Sequence, residues 1–125
     1  MRLLVLDAYS ESGRRSLQAA GGTAAGALYE RLLSRLQPEA TIEVGRPSEP
    51  SFSLPSTGSL ADFDGVVWTG SDLTVRDSDD ARVGRQVAVA RQIARAGLPS
   101  FGSCYGIQIA AVAAGGECQA NPRGR

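Results

Sequence analysis

The sequence predicts an α/β protein, a three-layer and mostly parallel sheet with helices on both faces. Three observations predict it. Strand-like and helix-like segments alternate in the order β-α-β-loop-β-α-β-α. The first strand candidate is a continuous apolar run rather than an alternating one, as in strands covered on both faces. With 125 residues, 42% of them hydrophobic and 21% charged, the chain can build a packed core.

The elements follow in order. Leu3-Leu4-Val5-Leu6, closed by Asp7, reads as a buried strand. Residues 9–22 are polar and carry Gly13, Gly21 and Gly22, so the segment reads as a loop. Arg14 and Arg15 in it read as solvated, at the strand end where ligands or partners bind in open α/β sheets. Residues 24–36 read as a helix. Ala24, Leu28, Leu32 and Leu36 recur every four residues, Ala27 and Leu33 widen the stripe, and Pro38 follows the end. Thr41 to Val44 alternates as a short strand. Residues 45–59, with Pro47, Pro50 and Pro55 among serines, read as a loop. Val66-Val67-Trp68 is a β-branched and aromatic strand signal, with Trp68 a core residue.

Asp77 to Asp80 offer caps for a helix whose inner face holds Val83, Val87, Ala90 and Ala94. Arg82, Arg85, Arg91 and Arg95 fall on its solvated face, and Gly97 stops it. Leu98 to Phe101 is the last strand candidate. Ile107 to Ala114 is almost wholly apolar and reads as a buried helix.

Composition removes several classes of chemistry. Thirteen basic and thirteen acidic residues cancel, which disfavours nucleic acid and acidic membranes as main partners. Every basic residue is Arg, so Schiff-base and P-loop lysines are absent. There is no His, so no Cys-His or Ser-His pair and no His metal site can form within these residues. Cys104 and Cys118 cannot build a disulfide scaffold or a four-ligand zinc site alone, and no metal is expected. A reducing, cytoplasmic setting is the expectation. The four-residue apolar run at the N-terminus is too short for a signal peptide or a membrane span. No dinucleotide or P-loop glycine pattern is present, which disfavours a nucleotide-binding module.

One segment carries chemistry. In Pro99-Ser100-Phe101-Gly102-Ser103-Cys104-Tyr105-Gly106-Ile107-Gln108, a strand ends, an apolar helix begins, and Cys104 sits in the turn between them. Gly102 and Gly106 flank it in the G-x-nucleophile-x-G spacing of a nucleophile elbow. Small neighbours there let strand and helix approach while the nucleophile projects alone. The helix dipole favours a thiolate at such a place, and the Tyr105 backbone N–H points into the same space. Cys118, beyond this helix, reads as a packing or surface thiol.

Residues 99–108 resemble the nucleophile motif of class I, triad-type glutamine amidotransferases, and are similar to the amidotransferase part of GMP synthase. Asp64-Gly65-Val66-Val67-Trp68-Thr69-Gly70-Ser71 falls where that family has a strand and a Gly-Gly-Pro oxyanion loop. The opening strand ending in Asp-Ala-Tyr-Ser and the closing Ala-Ala-Gly-Gly-Glu and Asn-Pro-Arg-Gly-Arg segments also look like this group. The resemblance implies a flavodoxin-like amidotransferase fold, with residues 1–125 as the N-terminal portion of one domain.

It also implies roles. Cys104 would be the nucleophile. The Tyr105 and Ser71 backbone N–H groups would hold the oxyanion, with Gly70 shaping the loop. Gln108 would help bind the substrate, L-glutamine. No cofactor is implied, and ammonia would pass to an acceptor domain or subunit. Ser71 in place of Gly and Asp72 in place of Pro depart from the family loop. The larger departure is the missing His-x-Glu pair, which in the family lies near the end of a domain of about 200 residues or more. The expectation is therefore a fragment that is inactive alone. Two other functions stay open: a γ-glutamyl peptide or amine hydrolase using the same elbow, and a non-catalytic binding or regulatory module.

Overall fold

In the computed structural model, which describes residues 1–55 and 60–124, four strands form one parallel sheet. The strands are β1 (Arg2–Leu6), β2 (Thr41–Gly45), β3 (Gly65–Trp68) and β4 (Ser100–Gly102). The helices are α1 (Glu11–Ala19), α2 (Ala25–Leu36), α3 (Ala81–Arg95) and α4 (Tyr105–Ala113). The sheet order is β2-β1-β3-β4, so the chain builds outward from β1 in both directions. This is the α/β arrangement the alternation predicts, in the flavodoxin-like form the resemblance implies. Residues 46–55 hold no helix or strand, and 56–59 of the expected loop lie outside the described residues.

Register explains which helix covers which face. Leu4 pairs with Val66 and Leu6 with Trp68, so these four side chains share one face. On that face they meet Val83, Val87, Ala90 and Ile93 of α3 and Ile109 of α4 in the main core. Val5 pairs with Val44 on the opposite face, where α2 comes so close that a methyl on Gly26 would lie 2.7 Å from Val44. Trp68 is a core residue, as expected.

The structure corrects five expectations. Residues 11–19 form helix α1 rather than a loop. Ser10 caps it by accepting from the Gly13 N–H at 2.9 Å, and acidic Glu11 lies in its first turn. Arg14 is not solvated: it is 4% exposed, its guanidinium bonded to Asp7, Glu49 and the Tyr9 carbonyl. A buried cation at a strand end needs such partners, and Asp7 in turn accepts from the Gly26 N–H.

The leucine stripe of α2 faces outward, with Leu28, Leu32 and Leu36 all exposed. The helix docks instead through Gly26, Tyr29 and Leu33, because Gly26 alone permits the close approach. On α3 the inner position belongs to Ile93, while Ala94 is exposed. Finally, α4 buries only Tyr105, Gly106 and Ile109. Ile107 and Ala110 face an apolar groove of about 360 Å³ beside β4, which has one strand neighbour among the described residues.

Candidate active site

The site is built where β4 gives way to α4. The ladder from β3 continues one residue past the strand, with the Ser103 N–H donating to the Trp68 carbonyl at 3.3 Å. The chain then reverses at Cys104, which has φ 54° and ψ −108°. Among the described residues it is the one non-glycine with positive φ. Such a backbone is costly for an L-residue and persists only where the surroundings enforce it. Gly106 N–H donates to Ser103 O at 2.9 Å, and Ile107 N–H to Cys104 O at 3.2 Å, closing the first helical turn.

The two flanking glycines have separate reasons. A methyl on Gly102 would lie 2.6 Å from the Gly106 carbonyl carbon and 2.9 Å from the Ile107 nitrogen. A methyl on Gly106 would lie 2.7 Å from Cβ of Trp68. The first glycine lets α4 sit on its own strand, and the second lets it sit on β3. Cys104 is left exposed at the carboxyl end of the sheet.

Loop 69–72 lies alongside. A methyl on Gly70 would come within 3.9 Å of Cβ of Cys104. Thr69 accepts from the Ala8 N–H at 3.0 Å and donates to the Gly70 carbonyl at 2.8 Å. Ser71 Oγ donates to the Ala8 carbonyl at 2.8 Å and accepts from the Leu73 N–H at 3.0 Å. The Ser71 side chain is thereby occupied with the backbone of its own and the neighbouring loop.

Tyr105 splits into two parts. Its backbone N–H belongs to the first turn of α4, where the helix itself supplies no acceptor. Its side chain points into the core, 1% exposed, and the hydroxyl has no partner among the described residues. Burial, aided by the charges of Asp80 and Asp72, pushes that phenol well above its ordinary value, so it stays neutral.

Gln108 is exposed one helical turn after Cys104, and its N–H donates to the Cys104 carbonyl at 3.4 Å. It lines a hollow of about 180 Å³ with Arg76, Gln119 and Cys118. Cys118 is half-buried against the core, its thiol 3.7 Å from the Gln108 carbonyl. The structure thus brings Gly70, Cys104, the Tyr105 backbone and Gln108 to one end of the sheet, with Ser71 one residue further along the loop.

Sequence reasoning missed the partners of the loop. Ser10 and Asp72 meet across 62 positions, and no local pattern announces the pair. Among the described residues, no group of three or more Cys, Asp or Glu side chains could hold a metal ion. No described helix is long and apolar enough to cross a membrane.

The family model of glutamine amidotransferase class-I matches residues 28–125. The chain is also 33% identical over 119 residues to a gamma-glutamyl-L-1-hydroxyisopropylamide hydrolase of Pseudomonas sp. That alignment covers 94% of this chain and 39% of the relative, so the chain spans about two fifths of the relative's length. No solved structure matched.

Proposed function

Starting from a chain that belongs to the class I glutamine amidotransferase family, we propose that Cys104 is the nucleophile for hydrolysis of a γ-glutamyl amide bond. The observation that carries this is the Cys104 backbone at φ 54°. It holds an exposed thiol between two glycines that admit no side chain, at the start of a helix.

The chemistry follows from the positions. The Cys104 sulfur adds to the γ-carbonyl carbon, and the carbonyl π pair moves to oxygen. The resulting oxyanion is held by the Tyr105 N–H and by loop 70–71, with the Ser71 N–H as the second donor. The C–N bond then breaks, the amine leaves with a proton, and a γ-glutamyl thioester remains on Cys104. Water cleaves it to glutamate and free thiol. Gln108 lies on the same side of α4 as Cys104 and would contact the glutamyl part of the substrate. Residues 1–125 hold no His to carry the thiol proton to the leaving amine.

The substrate is the point on which two readings differ. Glutamine itself releases ammonia, which a synthetase or acceptor partner would consume. An N-alkyl γ-glutamyl amide releases an amine. The Pseudomonas relative, named for hydrolysis of a gamma-glutamyl alkylamide, favours the second. The GMP synthase branch gains no comparable support.

The test is covalent labelling with a glutamine-mimicking chloroketone, read by peptide mass spectrometry. The expected result is an adduct on Cys104 and not on Cys118, faster than that of a chloroketone lacking the amino-acid part. Equal labelling of both thiols would refute the reading and favour a non-catalytic module. Product analysis of the intact natural protein then separates ammonia from amine release.

A further inference from the structure

We propose that Asp72 is a positioning residue, whose carboxylate anchors loop 69–72 to the start of α1 and so fixes the backbone that faces Cys104. The inference rests on the reading of that loop as an oxyanion-holding element. It goes beyond that reading by assigning the loop's fixed shape to a side chain that departs from the family's loop.

The carboxylate is held at two points. Its Oδ1 accepts from the Ser10 N–H at 2.8 Å, and its Oδ2 accepts from the Ser10 hydroxyl at 2.6 Å. The same hydroxyl accepts from the Gly13 N–H at 2.9 Å, so one serine both caps α1 and receives the loop. Gly13 completes the seat, because a methyl there would overlap the Asp72 carboxylate itself. This gives a physical reason for a glycine inside α1, where glycine is otherwise unfavourable.

The anchoring is not confined to Asp72. Thr69 and Ser71 bond to the N–H and carbonyl of Ala8, and the buried Gln86 amide donates to the same Ala8 carbonyl at 3.3 Å. Three of the four loop residues are therefore tied to the turn between β1 and α1. The fourth, Gly70, faces Cys104, and its carbonyl accepts from the Thr69 hydroxyl. The Gly70–Ser71 peptide has little freedom to rotate away. A donor fixed before reaction needs no reorganisation when charge develops on oxygen, which is what an oxyanion site requires. Asp72 is exposed. Charge-assisted bonds from a backbone N–H and a hydroxyl are still among the stronger contacts available at a surface.

The experiment compares two reagents at Cys104 in the intact protein. The glutamine-mimicking chloroketone loses chloride as the thiolate bonds its CH2, and its neighbouring carbonyl oxygen gains negative charge in that transition state, so its rate depends on the loop donors. Iodoacetamide alkylates by direct displacement of iodide and depends only on the thiolate and its access. Asp72→Ala should slow the chloroketone about tenfold or more, a fraction of the 10²–10³ lost with a whole oxyanion donor, and leave iodoacetamide within about twofold. Asp72→Asn, which keeps one acceptor and the shape, should fall between. Gly13→Ala, which displaces the carboxylate while leaving every loop residue unchanged in sequence, should reproduce the selective loss.

Each outcome decides. A wild type with no preference for the chloroketone would remove the Cys104 reading and this proposal together. A wild-type preference that survives in Asp72→Ala and Asp72→Asn would overturn this proposal and leave the Cys104 reading standing. Equal slowing with both reagents, or loss of folding even in Asp72→Asn, would mean that Asp72 merely supports the fold.

Discussion

The strained backbone at Cys104 allows a stability test that needs no substrate. Cys104→Ala and Cys104→Gly both remove the sulfur, so their difference isolates the backbone. A non-glycine residue held in a sparsely populated region such as φ 54°, ψ −108° costs about 1–3 kcal/mol. Glycine is free of that cost but loses about 0.4–1 kcal/mol through the greater freedom of its unfolded chain. The balance favours Cys104→Gly over Cys104→Ala by about 1.3 kcal/mol at the middle of the two ranges. For 125 residues the unfolding entropy is about 260 cal/mol/K, so the glycine variant should melt about 5 °C higher. Calorimetry of the two variants reads this directly. Cys104 is exposed, so a cavity contributes little to either value. A more stable alanine variant would refute the claim that an elbow backbone is enforced here. The argument from φ to a held nucleophile would go with it.

Three further outcomes test the fold around the site. Arg14→Ala should cost about 3–5 kcal/mol in urea unfolding, because it strands Asp7, 2% exposed, without its cation; a loss below about 1 kcal/mol would mean that the pair is solvated. Leu28→Gln should change stability by less than about 1 kcal/mol, as at other exposed positions; a loss of about 2–5 kcal/mol would restore the buried stripe that the four-residue spacing suggests. Arg82 beside Asp80 lowers that carboxylate from 3.8 to about 2, so its contribution to the start of α3 is present above about pH 4 and lost as pH falls through about 2. Asp80→Asn should therefore show a shallower loss of stability than wild type across that window, and identical acid profiles would refute the pairing.

The strands were legible because each is a local signal. Leu3 to Leu6 is apolar on both sides since α2 covers one face of β1 while α3 and α4 help cover the other. Helix faces were less legible. The period of Leu28, Leu32 and Leu36 gives an apolar side, but the docked side is set by where a neighbouring strand can approach. Gly26 decides that, since a side chain there would strike Val44 and Asp7. Helix α1 was missed because Ser12, Gly13 and Ser16 are poor helix formers. Its start is stabilised by Ser10 and by a carboxylate from residue 72, and only the first of these is nearby in sequence.

The same contrast separates the two halves of the candidate site. The elbow can be read from five consecutive residues, because the clash that demands Gly102 lies between residues four apart on one strand–helix turn. Loop 69–72 cannot. Its conformation is set by bonds that span 61 to 63 positions, to Ala8 and Ser10. Against the Gly-Gly-Pro expectation, Ser71 and Asp72 look like losses of fit. Next to Ala8, Ser10 and Gly13 they supply three hydrogen bonds that glycine and proline side chains could not make. A loop can thus be held by ring rigidity or by side-chain anchors, and the second route needs matching residues elsewhere in the chain. Departures at 71 and 72 therefore carry information only together with positions 8, 10 and 13, which the fold brings beside them.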